Sequence, residues 1–133
     1  MRLRIRAADG FTLIELSVVV ALIVVLAGLA MVQHRNGVLL AKEAVLREDL
    51  FRMRDAIDQY YADKGQYPTD LQALVSDGYL RAVPKDPFTN TADTWQTVPA
   101  ESDANDPAAP LGIYDVKSGS EQTAFDGTKY SEW

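Results

Sequence analysis

An apolar run near the start of the chain dominates its hydrophobic pattern. From Phe11 to Val32 nearly every residue is apolar, and after Val32 the chain becomes mixed and polar. Twenty-two residues form a helix roughly 33 Å long at about 1.5 Å per residue, and a membrane's hydrocarbon core is about 30 Å thick. A small soluble domain rarely buries a helix that is apolar all round. The run therefore predicts a membrane-spanning helix.

The pattern changes to a single apolar stripe after about residue 40. Apolar residues recur at steps of three and four, at Leu46, Leu50, Met53, Ile57 and Tyr60 or Tyr61. Charged residues largely occupy the other faces, at Lys42, Glu43, Arg47, Glu48, Arg52, Arg54, Asp55 and Asp58. This spacing is typical of an amphipathic helix. We expect one helix from about Phe11 to Asp63, which Gly65 and Pro68 end.

The remainder of the chain predicts short elements in a small domain. A short helix is expected over Leu71–Ser76, capped by Thr69 or Asp70 and closed by Gly78. β-prone runs predict strands at Thr94–Val98, Ile113–Val116 and Lys129–Trp133. Residues 100–110 are rich in Asp, Ala and Pro, which predicts an exposed turn region. The expected fold class is α+β, with a long N-terminal helix packed on a small antiparallel β-sheet.

Length and charge narrow the class of protein. A chain of 133 residues suits one membrane helix and one small domain. The net charge is -6, and removal of residues 1–10 would leave 10 basic and 18 acidic residues. An acidic domain repels phosphate backbones, so no nucleic-acid partner is expected. The absence of cysteine excludes disulfides, thiolate zinc sites and cysteine nucleophiles.

Three arginines precede the apolar run, at Arg2, Arg4 and Arg6. A basic segment before a membrane helix favours a cytoplasmic N-terminus. Two other classes of protein remain open at this point. An ordinary secreted protein would be cleaved after Val32, although the following residues make a poor small-x-small site. A single-span enzyme or solute-binding protein would keep its N-terminus and have a ligand pocket.

A six-residue motif lies between the basic segment and the apolar run: Gly10-Phe11-Thr12-Leu13-Ile14-Glu15. A carboxylate within a spanning helix costs about 2.5 to 3.5 kcal/mol on insertion scales, so Glu15 is a candidate functional residue. The motif resembles the prepilin processing signal of the type IV pilin and pseudopilin superfamily. The resemblance implies cleavage between Gly10 and Phe11 by a prepilin peptidase and N-methylation of Phe11. It also implies that Glu15 pairs with the N-terminal amine of an adjacent subunit.

The second half of the chain resembles the major pseudopilin of type II secretion systems. The similar segments are Tyr60–Pro68, Leu80–Phe88, Gly112–Val116 with Ser118-Gly119, and Tyr130–Trp133. The chain departs from that pattern at Phe88 and Thr89, where the family usually has tryptophan and glycine. The resemblance implies a structural subunit of a secretion pseudopilus that drives protein export across the outer membrane, and not an enzyme. A type IV pilus subunit for adhesion, motility or DNA uptake is the alternative.

The same resemblance implies the domain organisation, location and partners. The leader would be residues 1–10, the membrane and filament-core helix residues 11–32, and the periplasmic globular domain residues 33–133. The subunit would cross the bacterial inner membrane once, with its N-terminus in the cytoplasm, and then enter a periplasmic filament. Its partners would be copies of itself in a helical filament, minor pseudopilins, the prepilin peptidase, the inner-membrane assembly platform and membrane lipid.

A calcium ion is the one cofactor that the resemblance suggests. Major pseudopilins bind calcium in their final loop through aspartates and backbone carbonyls. Calcium takes six to eight oxygen ligands. The candidate ligands here are Asp115, Glu121 and Asp126, which make a thin acidic set. We expect a weak or absent calcium site.

Overall fold

The structure is a computed structural model that describes residues 10–101 and 111–133. Residues 1–9 of the predicted leader and most of the predicted turn region, residues 102–110, lie outside the described residues. The elements in chain order are helix α1 (Leu13–Lys64), helix α2 (Leu71–Ser76), strand β1 (Gln96–Pro99), strand β2 (Ile113–Lys117) and a 3₁₀ helix (Tyr130–Glu132).

The chain divides into two compact units, Met1–Val38 and Leu39–Trp133. In the first unit, no residue from 10 to 38 is buried, and these residues contribute the first half of α1. The large apolar side chains of the run are exposed, from 45% for Val19 to 85% for Leu13. This part of α1 is long and apolar enough to cross a membrane. Its side chains therefore match the predicted membrane-spanning helix.

The ends of the helices follow local sequence signals. Gly65 ends α1 with a left-handed φ of 68°, and its N–H donates to the carbonyl oxygen of Tyr61 at 2.8 Å. The carboxylate of Asp70 caps α2 by accepting from the N–H of Ala73 at 2.7 Å. Gly78 has a φ of 84° just after α2. The predicted stops and cap of both helices are confirmed.

The second unit buries the predicted stripe of α1. The buried residues are the predicted Leu46, Leu50, Met53, Ile57 and Tyr60, together with Ala56. Tyr60 takes the last position, since it is 7% exposed whereas Tyr61 is 45% exposed. The other buried hydrophobic residues of this core are Leu74, Trp95, Ile113, Val116, Ala124 and Tyr130. One face of the helix thus supplies half of a single core.

The sheet has two antiparallel strands. β1 pairs with β2 so that Gln96 lies opposite Lys117 and Val98 opposite Asp115, with an irregularity between Val98 and Pro99. Both strands overlap the predicted ones. A long helix packed on a small antiparallel sheet is the predicted α+β fold, which is confirmed.

The third predicted strand, Lys129–Trp133, is wrong. Within the described residues it forms only an isolated bridge between Thr123 and Lys129, followed by the 3₁₀ helix. A 3₁₀ turn places residues three apart on the same side. Tyr130 is fully buried and stacks on Phe88 with ring centroids 3.9 Å apart, while Trp133 meets the edge of Tyr130 at 5.1 Å. Aromatic packing from distant positions therefore overrides the strand propensity.

Two glycines lie where backbone segments touch. A Cβ atom added at Gly112 would lie 2.7 Å from the carbonyl oxygen of Tyr67. A Cβ atom at Gly119 would overlap the carbonyl oxygen of Thr94. Both glycines belong to the segments that resemble the major pseudopilin. A residue with a side chain would not fit at either position, because its Cβ atom would be too close to the neighbouring backbone.

Candidate processing and assembly site

The predicted cleavage position lies just before the first helix. Gly10 and Phe11 are exposed, Phe11 by 84%, and both precede the first residue of α1. A peptidase must bind its substrate in a non-helical form, because the scissile bond has to be accessible. The backbone at Gly10 and Phe11 meets that requirement. Cleavage and methylation at this position stay predictions.

Thr12 and Glu15 form the start of α1. The hydroxyl oxygen of Thr12 accepts from the N–H of Glu15 at 3.2 Å, and its carbonyl oxygen accepts from the N–H of Leu16 at 3.1 Å. A threonine followed three residues later by glutamate is the sequence of a capping box. Glu15 lies in the first turn of α1, where the helix dipole stabilises a negative charge. Two residues of the processing motif thus also start the helix.

The side chain of Glu15 is exposed. No salt bridge of residues 10–101 and 111–133 includes it, since the four ion pairs there are Arg52–Glu48, Arg54–Asp115, Lys64–Asp77 and Lys129–Glu121. The assembly role predicted for Glu15 is not tested by this geometry. The geometry does leave its carboxylate accessible to another molecule.

The three candidate calcium ligands each have a separate partner. Asp115 accepts from Nε of Arg54 at 2.7 Å, and Glu121 pairs with Nζ of Lys129 at 3.3 Å. Asp126 accepts from the N–H and the hydroxyl of Thr128 at 3.0 and 2.6 Å. These two hydrogen bonds lower the pKa of Asp126 below its usual value.

The structure does not bring these carboxylates together. In the part of the chain that it describes, no three histidine, cysteine or acidic residues are placed to hold a metal ion. Calcium needs several carboxylate and carbonyl oxygens around one point. The side chains at positions 115, 121 and 126 do not fit that requirement.

Glu43 was predicted on the charged face of α1, and this is wrong. Only 3% of it is exposed. Its Oε1 atom accepts from the hydroxyl of Tyr130 at 2.9 Å and from the N–H of Phe125 at 2.8 Å. Burial, and then the bond to Glu43, raise the pKa of Tyr130 to about 12. The signal was in the spacing, because Glu43 lies three residues before Leu46 and continues the buried stripe.

Arg54 is a second residue whose role the charge pattern missed. Its guanidinium donates to Asp115 Oδ1 at 2.7 Å and to the main-chain oxygens of Val116 and Trp133 at 3.0 and 2.8 Å. Arg54 is thus half-buried and engaged by β2 and by the last described residue. A charged residue on a predicted solvent face carries no sequence signal for such contacts.

The protein family described as "Prokaryotic N-terminal methylation motif" matches residues 5–31. This match includes the predicted processing motif and most of the apolar run.

Relatives with similar sequences extend into the second unit. The type II secretion system core protein G of Pseudomonas aeruginosa is 36% identical, over 64% of this chain and 71% of that protein. This chain belongs to the type II secretion system core protein G family. The proteins of the same name from Escherichia coli and Vibrio cholerae are 32% and 30% identical, over 72% and 70% of their lengths and 64% and 65% of this chain. No solved structure matches the chain.

Membership of this family makes the chain a type IV pilin-like protein of the major pseudopilin type. The motif match and the apolar half of α1 also make it a membrane-anchored subunit. The departure at Phe88 keeps an aromatic ring at that position, which stacks on Tyr130. Phe88 therefore contributes an aromatic ring to the packing around Tyr130 in this chain.

Proposed function

We propose that this protein is a structural subunit of a type II secretion pseudopilus and that it has no catalytic activity of its own. The observation that carries the proposal is the prepilin motif at the start of α1, whose apolar first half, up to residue 38, buries none of its side chains. A prepilin peptidase would cleave between Gly10 and Phe11 and methylate the new amine of Phe11. The mature subunit then assembles through residues 11–32 and drives protein export across the outer membrane.

In this proposal Glu15 fixes the axial position at which each subunit joins the filament. After cleavage, Phe11 carries a positive amine at the end of a helix that enters an apolar bundle. An unpaired charge in such surroundings is strongly unfavourable, whereas a paired one is tolerated. The exposed carboxylate of Glu15 binds the amine of an adjacent subunit, so each added subunit is held at one axial position.

The topology follows from the same elements. Residues 11–32 span the inner membrane with the basic leader in the cytoplasm, and residues 33–133 form the periplasmic domain. Membrane lipid surrounds the apolar helix before assembly, and copies of the same helix replace the lipid in the filament. The other partners are the prepilin peptidase, minor pseudopilins and the inner-membrane assembly platform.

The first test is the mass of the N-terminus of the protein from native membranes. We expect a chain that begins with a methylated Phe11. An N-terminus at Met1 or near Gln33 would contradict the proposal. The first result favours an uncleaved anchored domain, and the second an ordinary secreted protein.

The second test removes the proposed register contact. Glu15→Gln keeps the shape of the side chain but not its charge, so we expect normal maturation and a loss of filaments of at least tenfold. Ser17→Ala is the matched control, because its hydroxyl is exposed and only donates to the carbonyl oxygen of Leu13. Filaments at wild-type level with Glu15→Gln would refute the register role.

Filaments on the cell surface instead of in the periplasm would favour a type IV pilus.

A further inference from the structure

Three oxygen atoms of the second unit converge on one side chain of α1. The guanidinium of Arg54 donates to Asp115 Oδ1 through Nε, and to the main-chain oxygens of Val116 and Trp133 through one terminal nitrogen. The three distances lie between 2.7 and 3.0 Å. The oxygens belong to β2 and to the residue after the 3₁₀ helix, which are separate in sequence. Arg54 therefore joins α1, β2 and the last described segment.

The atoms that converge on Arg54 are of the kind that a hard metal ion also prefers. Carboxylate and main-chain oxygens are typical calcium ligands. Asp115 is moreover the first of the three candidate calcium ligands. Here these atoms face an arginine, which stays charged at any physiological pH and presents its donors in a rigid fork. A divalent cation bound to the same oxygens would be repelled by the guanidinium.

Two other side chains of α1 also contact the final segment of the second unit, residues 125–133. Glu43 accepts from Phe125 and Tyr130, and the guanidinium of Arg47 lies over the ring of Trp133 at 4.3 Å from its centre. Glu43, Arg47 and Arg54 are spaced by four and seven residues, so they lie on one side of the helix. The final segment is thus attached to α1 by side chains at several points along the helix.

We infer that the guanidinium of Arg54 takes the place of a metal ion in the Leu39–Trp133 unit. It binds the converging oxygens as a metal ion would. The unit therefore folds and keeps its final segment on α1 without a divalent metal. This inference concerns the folding of the second unit alone. It is independent of processing, of Glu15 and of the filament that the protein forms.

The test is the thermal unfolding of the full chain in detergent, followed by tryptophan fluorescence. Both tryptophans, Trp95 and Trp133, belong to the Leu39–Trp133 unit, so the signal reports this unit and not the apolar helix. The wild-type protein is melted with excess chelator and with millimolar calcium. We expect the two midpoints to agree within about 1 °C, because a ligand that binds only the folded state would raise the midpoint.

Arg54→Ala is the informative variant, and Arg52→Ala is its matched control. Arg52 lies two residues away on α1 and pairs with Glu48 on the surface, where the two side chains are 65% and 55% exposed. We expect the midpoint in chelator to fall by about 10 °C for Arg54→Ala, since a partly buried carboxylate loses its charged partner. The control should fall by about 2 °C at most.

Two results would overturn the inference. One is a wild-type midpoint that calcium raises by several degrees, and the other is an Arg54→Ala midpoint that falls no further than the control. If Arg54→Ala does not fold in detergent, Arg54→Lys and Arg52→Lys replace the two variants. Lysine keeps the charge but not the fork, so Arg54→Lys should lose several degrees and Arg52→Lys none. Equal midpoints for these two variants would also reject the inference.

Discussion

Helix α1 has two regions whose apolar side chains have different surroundings. From residue 13 to residue 38 no side chain is buried, although almost every position of the run to Val32 is apolar. From Leu39 onward a single stripe is buried by the same unit, and the exposed positions are mostly polar or charged. The first pattern needs lipid or other subunits as its surroundings, whereas the second needs only its own chain. The period of the apolar positions distinguishes these cases.

Each region contains a glutamate, and the two glutamates differ in their hydrogen-bond and ion-pair partners. Glu43 lies on the buried stripe and has two donors from its own unit, Tyr130 and Phe125. Glu15 lies in the apolar run, and no salt bridge within the described residues includes it. A carboxylate in apolar surroundings needs a donor or a positive charge. The comparison therefore supports a partner for Glu15 on another molecule.

The largest expected effect is a difference in stability between alanine variants of two leucines of α1. Leu46 is fully buried and Leu26 is 65% exposed. Truncation of a buried leucine to alanine costs about 2 to 5 kcal/mol. We expect Leu46→Ala to lower the stability of the second unit by this amount in tryptophan-monitored urea unfolding in detergent, and Leu26→Ala to leave it unchanged. Equal losses would show that the two regions do not differ as described.

A smaller difference in stability is expected between alanine variants of two glycines. Gly119→Ala should destabilise the second unit by about 1 to 3 kcal/mol, because the added methyl group overlaps the carbonyl oxygen of Thr94. Gly28 lies inside α1, and a methyl group added there would have no neighbouring atom within 4 Å, so Gly28→Ala should not lower this stability. The same unfolding experiment measures both variants. A neutral Gly119→Ala would mean that this backbone contact is not close.

The third expected effect is a dependence of stability on alkaline pH that belongs to Tyr130. Its pKa is raised to about 12 in the folded protein, against about 10 in an unfolded chain. The folded state therefore favours the protonated phenol. This stabilisation is complete below pH 10 and is lost as the pH rises towards 12, by about 1.4 kcal/mol for each pH unit.

Urea unfolding of the wild type and of Tyr130→Phe over this pH range isolates the contribution. Tyr67 and Tyr79 also have raised pKa values, so only the difference between the two proteins is informative. We expect the variant to lose less stability than the wild type between pH 10 and 12. Parallel stability curves would argue against a buried phenol at Tyr130.

Much of the fold was predictable because its signals are local. The stop at Gly65 needs only a residue that adopts a left-handed conformation, and the cap at Asp70 needs only a short acidic side chain. The motif from Gly10 to Glu15 is likewise a continuous string. The strand predicted at Lys129–Trp133 failed because the stacking partner of Tyr130 is Phe88, more than forty residues earlier.

Sequence alone was enough to predict the apolar run that could span a membrane, the amphipathic stripe, the processing motif and the resemblance that the relatives confirmed. These features depend on apolar period and on short strings, which are read along one stretch of chain. Three features became visible only in the folded chain: Glu43 is buried, the candidate calcium ligands have separate partners, and Arg54 binds oxygens from two distant segments. Such contacts depend on which side chains the fold brings together, and residue spacing along the chain does not specify them.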